Sequence, residues 1–196
     1  MKKVAIFDFD GTLIKGDSLL PFLSFVAGNV AVFSAIVEGV VCYIRKRAEK
    51  KPVESRRTFI KRFLLRRILK GKKKDDLRAA VLETLSWMKT NEAITAKLRE
   101  HREKGDVVVI ASGSLDLYLS ELLQDIPHDA LICTEVGVEN GVVTGEMIKG
   151  NCVRKGKAAR VKEWLDKNGP FEDSFGYGNA PHDLPMLELV KHKMVV

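Results

Sequence analysis

The sequence predicts an α/β fold: a Rossmann-like parallel sheet with helices on both faces and an inserted all-helical cap. Three observations predict it. Short apolar runs alternate with helical stretches through the second half of the chain, the pattern of a parallel sheet covered on both sides. One of these runs, VVVIA at 107–111, is an uninterrupted apolar, largely β-branched segment of the kind buried on both faces. Residues 17–90 carry long apolar stretches rich in helix formers, with Pro21 and Pro52 as breakers, and they sit between the first strand and the rest. The expected division is a core of 1–16 and 91–196 around a cap of 17–90.

Each element has its own signal. KVAIF at 3–7 reads as a short buried strand, ended by the polar stretch Asp8–Thr12 with Gly11 at the break. Within the cap, Gly71 with Lys72–Lys74 reads as a loop, and Leu77, Val81, Leu82, Leu85 and Met88 follow at helical spacing. Residues 92–104 form a helix with Asn91 as N-cap and Gly105 as stop. Ser112-Gly113-Ser114 is expected to turn the chain after 107–111, with helix resuming at 115–125. ALIC at 130–133 is a further strand. Residues 135–148 alternate around Asn140-Gly141, a strong hairpin signal. Helix returns at 156–168 and stops at Gly169-Pro170. Residues 174–177 and 193–196 read as strands around a helix at 182–190. The chain ends at Val196, at the edge of an expected core strand, where another helix would be expected to follow.

The 196 residues suit one α/β domain with a modest insert. With 45% hydrophobic and 30% charged residues the chain is globular rather than disordered. Its net charge of +7 is concentrated. Residues 45–74 hold fifteen Lys and Arg against two Glu, a net of +13, so the remainder carries −6. Anionic partners should meet that segment first. Cys42, Cys133 and Cys152 form no CxxC pair and read as reduced thiols of a cytoplasmic protein. Lys2 and Lys3 precede an apolar run broken by Asp8 and Asp10, unlike a signal peptide.

In parallel α/β sheets, ligands bind beyond the carboxyl ends of the strands. Four polar clusters fall there: Asp8/Asp10, Ser112, the Lys155–Lys157 region and Gly178–Asp183. Two carboxylates spaced two apart after a buried strand can divide the work, one attacking phosphorus and the other donating a proton to the leaving oxygen.

FDFDGTL (7–13) resembles the first motif of the haloacid dehalogenase superfamily of phosphohydrolases. ASGS (111–114) is similar to its second motif, Lys157 to its third, and GNAPHD (178–183) to its fourth, usually Gly-Asp-x-x-x-Asp. A helical insert directly after the first motif resembles subfamily IB, the phosphoserine phosphatase-like branch. The resemblance implies Asp8 as nucleophile forming an aspartyl-phosphate, and Asp10 as general acid and then base. It implies Ser112 and the amides around Gly11 and Gly113 as phosphoryl ligands, with Lys157, rather than Lys155, neutralising charge. It also implies Mg²⁺ held by Asp8, the Asp10 carbonyl, Asn179 and Asp183. Asn179 departs from the motif's acid, which removes one negative charge and predicts weaker metal binding. Asp17 stands near where phosphoserine phosphatases read the substrate amine. An acid at Asp10 suits an alkoxide leaving group, so the expected substrate is a phosphate ester.

Residues 19–44 contain nineteen apolar residues of 26 and one charge, Glu38. Roughly 20 apolar residues can span a bilayer. A single crossing here would separate Asp8 from Ser112, so buried helices or shallow interfacial insertion are expected instead. Residues 55–70 interleave large apolar side chains with seven basic ones, the composition an anionic bilayer attracts. Three functions are therefore open: a phosphatase for a small phosphomonoester, a phosphatase for a lipid phosphate working peripherally at the inner membrane surface through 45–74, and a catalytically weak or non-enzymatic protein binding an anionic surface or nucleic acid through its basic cap. Nucleic acid ranks last, because Phe59 and Phe63 are the only stacking aromatics interleaved with the basic run at 55–70.

Overall fold

A computed structural model describes residues 2–50 and 52–196. In chain order the elements are β1 (Val4–Phe7), β2 (Ile14–Lys15), α1 (Leu19–Ala27), α2 (Asn29–Ala48), α3 (Arg56–Leu64), α4 (Arg78–Trp87), β3 (Lys89–Thr90), α5 (Glu92–Glu103), β4 (Val107–Leu115), α6 (Asp116–Leu122), β5 (Ala130–Thr134), β6 (Val136–Glu139), β7 (Val142–Met147), α7 (Lys155–Asn168), β8 (Ser174–Gly178), α8 (Leu184–Leu187) and β9 (His192–Val195). They form two compact units: Met1–Ser18 with Met88–Thr134 and Gly150–Val196, and Leu19–Trp87 with Glu135–Lys149.

The first unit is built on a five-stranded sheet of order β5-β4-β1-β8-β9. Every neighbouring pair is parallel. β1 is central and wholly buried because all four of its residues are apolar. Successive side chains leave a strand on opposite faces. Val4 and Ile6 accordingly pack with Val161 of α7 and with Met186 and Leu187 of α8. Phe7, on the other face, stacks on Tyr177 at 4.3 Å and meets the ring of His101 on α5 edge-on. That histidine is buried and satisfied at both nitrogens, by Asp106 at 2.7 Å and the Tyr177 hydroxyl at 2.9 Å. Helices thus cover both faces of a parallel sheet, as the alternating pattern predicts.

Several details differ from the sequence expectation. β4 does not turn at Ser112 but runs on to Leu115, because Leu115 pairs with Thr134 across a register shift. The block 17–90 is not wholly helical: Lys89–Thr90 pairs antiparallel with Ile14–Lys15. The helix expected at 182–190 is only Leu184–Leu187, with Pro185 at its start. Asn91 occupies the N-cap position of α5, but its side chain makes no capping bond.

The second unit is helical apart from one hairpin. Gly28, at φ +83°, separates α1 from α2, whose axes are bent by 117°. Among the described residues no single helix is long and apolar enough to cross a membrane. Ser55 caps α3, accepting from the Thr58 amide. The helix continues into a π-helical turn, Leu65–Leu69, that buries Leu65, Ile68 and Leu69 beside Leu64. Much of the apolar side of 55–70 is therefore spent on the core of this unit, while Arg56, Arg57, Arg66 and Arg67 stay exposed.

Asn140-Gly141 makes the hairpin turn between β6 and β7, both residues at positive φ. Residues 135–149, expected with the core, belong to this second unit. Gly145 explains the fit: it has φ +78°, and a Cβ there would lie 3.0 Å from the Arg66 Cα and 3.1 Å from the Leu65 oxygen. Only glycine lets the hairpin lie against that turn. Arg66 then closes a bidentate pair with Glu146 at 2.6 and 2.9 Å.

Candidate active site

All four polar clusters come together at the carboxyl end of the sheet, within the first unit. The Asp8 amide donates to the Tyr177 carbonyl at 2.9 Å, which continues the β1–β8 ladder and buries the side chain. One carboxylate oxygen of Asp8 accepts from the Lys157 ammonium at 2.6 Å, the other from the Thr12 hydroxyl at 3.1 Å.

Lys157 is the third residue of α7 and is buried, whereas Lys155 is exposed. Its helix is pinned to the sheet by Arg160, which donates to the carbonyls of Cys133 and Gly150 at 2.6 and 3.0 Å. Thr134 ties the same region together, donating to the Gly113 carbonyl and accepting from the Cys152 amide. The ammonium also donates to Asp183 at 2.6 Å. Asp183 in turn accepts from the Asn179 amide at 3.1 Å, closing the 179–183 loop.

Asp10 sits in a separate hydrogen-bond set. One oxygen accepts from the Ser18 amide at 2.7 Å. The other accepts from the Ser114 hydroxyl and from the Ser112 hydroxyl, the latter at 3.4 Å. Ser18 shares hydrogen bonds of 3.0 Å with both Ser114 and Tyr118. Nothing in the sequence marks Thr12, Ser18 and Ser114 as partners of the two aspartates, or Tyr118 as a partner of Ser18. Ser114 and Tyr118 lie 96 and 100 positions from Ser18, so no local spacing marks the cluster.

The electrostatics follow from burial. Asp8 is pushed up to about 7 by desolvation, with Asp183 and Asp10 adding repulsion against the pull of Lys157. Burial draws the Lys157 ammonium down, but Asp8 and Asp183 together outweigh it and hold it above its ordinary value. Asp10 is raised by burial and by Asp17, while the bonds from Ser114 and Ser18 restrain it. Asp17 itself is exposed.

Gly11 has φ +75°, and a Cβ there would meet the Asn179 amide nitrogen at 2.8 Å. That nitrogen donates to the Asp10 carbonyl at 3.0 Å. Among the described residues no three His, Cys, Asp or Glu side chains converge on one point. The oxygens of this cluster are the carboxylates of Asp8 and Asp183 and the Asp10 carbonyl; the Asn179 side chain meets that carbonyl through its nitrogen, so its amide would have to turn over to offer an oxygen. Such a set fits Mg²⁺, which takes oxygen ligands, keeps several waters and needs few carboxylates.

The haloacid dehalogenase-like hydrolase family matches residues 5–188. A probable phosphatase of Mycobacterium tuberculosis is 27% identical over 203 residues, covering all of this chain and 69% of that protein. A phosphoserine phosphatase of Archaeoglobus fulgidus is 26% identical over 190 residues, covering 95% of this chain and 50% of its own length. A substrate-bound phosphoserine phosphatase structure shares the fold, with a TM-score of 0.67 at 18% identity, over all of this chain and 86% of its own. With two differently bonded aspartates, a serine, a lysine and a GNAPHD loop gathered at one end of a sheet with the phosphoserine phosphatase fold, the chain belongs to the haloacid dehalogenase-like hydrolases.

Proposed function

We infer that the protein hydrolyses phosphate monoesters through an aspartyl-phosphate on Asp8, with Mg²⁺ as cofactor. One observation carries this reading: two aspartates two residues apart are equipped for different tasks. Asp8 faces a buried ammonium at 2.6 Å, while Asp10 is held by Ser18, Ser112 and Ser114. Paired carboxyls in unlike surroundings are how one site runs nucleophilic and acid–base chemistry together.

In the first step an Asp8 oxygen bonds to phosphorus as the phosphorus–alkoxide bond breaks, and Asp10 gives its proton to the alkoxide. In the second, Asp10 takes a proton from water, the water oxygen bonds to phosphorus, and the Asp8–phosphorus bond breaks. Phosphate leaves and both carboxyls return to their starting states. Lys157 offsets the charge that builds when a carboxylate meets a dianion. Ser112 and the amides around Gly11 and Gly113 orient the phosphoryl oxygens. Asp8, the Asp10 carbonyl, Asn179 and Asp183 would hold Mg²⁺. When bound, that ion shields the nucleophile from the phosphoryl group.

The substrate is a small-molecule or lipid phosphate whose polar part meets Asp17. The exposed basic residues of 45–74 give the protein peripheral contact with an anionic membrane at the inner surface. A phosphomonoester panel with Mg²⁺, including lysolipid and glycerol phosphates, tests the activity. Hydrolysis should vanish with EDTA and in Asp8→Asn, and activity surviving both would overturn the reading.

A further inference from the structure

Helix α2 carries an apolar stripe that its own unit does not cover. Val30, Phe33, Val37, Val41 and Ile44 are 84, 70, 47, 41 and 60% exposed. At 100° per residue they fall within a sector about 80° wide, and the stripe runs about 21 Å along the helix axis. The opposite face, Val32, Ala35 and Gly39, is the buried one. Phe63 lies against Gly39, where a Cβ would come within 3.1 Å of its ring. The orientation of α2 is thus fixed by its packing, and the stripe is what remains outside.

The charges around the stripe are arranged. Arg45 and Arg47 follow it at the carboxyl end, one about 80° to each side of its centre on the helical wheel. Both are exposed. Lys46, between them, faces the other way and lies over the Phe59 ring at 5.2 Å. Glu38, the one acid of α2, is off the stripe and paired with Arg67 at 3.3 Å.

We propose that α2 lies in the interface of an anionic bilayer, its Val30–Ile44 stripe at the acyl boundary and Arg45 and Arg47 on lipid phosphates. Apolar residues on one side with basic residues at the border is the composition of an interfacial helix. A second copy of the chain satisfies the stripe less well. Pairing two α2 helices in parallel sets the basic ends against each other. Pairing them antiparallel sets each basic end against a first turn that has no acidic residue. Lipid phosphates supply the counter-charge that neither arrangement offers. Docking by α2 rests on the peripheral contact proposed above and adds the apolar footprint that 45–74, with much of its apolar surface buried, lacks.

Sedimentation of the full chain with phosphatidylglycerol–phosphatidylcholine vesicles, and with pure phosphatidylcholine, tests this. Hydrolysis of p-nitrophenyl phosphate serves as the fold check, since none of these side chains is in the catalytic machinery. Wild type should bind the anionic vesicles. Phe33→Ser with Ile44→Ser should lose about tenfold or more in partitioning at unchanged hydrolysis, since each removes a large exposed apolar side chain that the bilayer would bury. Arg45→Gln with Arg47→Gln should lose the part of binding that salt also removes. If the stripe variant binds as well as wild type while neutralising 56–67 abolishes binding, α2 docking is overturned and an electrostatic contact through 45–74 stands. If wild type binds no vesicle, both are overturned. Lipid-free self-association that the stripe variant abolishes, without vesicle binding, would make a second copy the occupant and overturn the proposal. Vesicle binding that survives without any phosphatase activity supports docking and sinks the catalytic reading alone.

Discussion

The Lys157 ammonium lies 2.6 Å from both Asp8 and Asp183, joining residues 149 and 26 positions away in one buried ion cluster. Burial pushes Asp8 up to about 7 despite the pull of Lys157, and the charges of Asp183 and Asp10 add to the rise.

Lys157→Met should therefore cost both activity and stability. Removing the cation strands two buried carboxylates, and breaking a buried pair in this way costs about 3–5 kcal/mol. Urea unfolding should show a lower midpoint with unchanged slope, alongside loss of phosphatase turnover. Wild-type stability would remove the cluster from the account.

Asp8→Asn should separate function from folding. The amide is nearly isosteric and relieves carboxylate repulsion, so the variant should unfold no earlier than wild type. Turnover should fall by about 10³ or more, as expected when a covalent nucleophile is lost. Thermal unfolding beside a steady-state assay checks both halves.

Asn179→Asp should tighten metal dependence. The Asn179 amide nitrogen donates to the Asp10 carbonyl, and an aspartate there replaces that bond with repulsion between oxygens. The variant should be less stable in EDTA, and half-saturating Mg²⁺ should fall by about tenfold as a carboxylate replaces a neutral oxygen. An identical Mg²⁺ titration in both proteins would exclude Asn179 from the metal shell.

Ser114→Ala should lower turnover more than it changes KM. Ser114 bonds to Asp10 and to Ser18, so it positions the acid rather than the phosphoryl group. A loss of about tenfold is expected from a misplaced general acid. Ser114→Thr should restore part of it, and an effect confined to KM would contradict the positioning role.

The acid side of the stability profile should respond to Asp129. Burial raises its pKa, but the Val108 amide at 2.8 Å and Arg102 at 2.5 Å outweigh it and leave it lowered. A folded-state value below the unfolded one means stability that is present above about pH 4 and lost as pH falls through the folded value. The pair is partly exposed, so about 1 kcal/mol or less is at stake. Asp129→Asn should flatten that part of the profile, as denaturation between pH 2 and 6 would show.

The sheet was legible because buried parallel strands must be continuously apolar, as VAIF and VVVIA are. Asp8 and Asp10 were legible because polar residues directly after such a strand have few structural reasons to be there. The bonds that distinguish the two aspartates were not. Ser18, Ser114 and Tyr118 meet through tertiary packing and look in sequence like any short polar or aromatic residue. The hairpin at 136–147 shows the same limit: Asn140-Gly141 specifies a turn, but only Gly145 against Leu65 and Arg66 says what the hairpin packs on. The apolar run 19–44 likewise gave no hint of which side chains α2 would leave exposed.

The most direct measurement is a crystal structure of the protein with beryllium fluoride and Mg²⁺. The account predicts a trifluoroberyllate bonded to an Asp8 oxygen, with Lys157 beside it and a cation between Asp8, the Asp10 carbonyl and Asn179. An adduct on any other side chain, or an Asp8 carboxylate left bare at saturating fluoride, would contradict it.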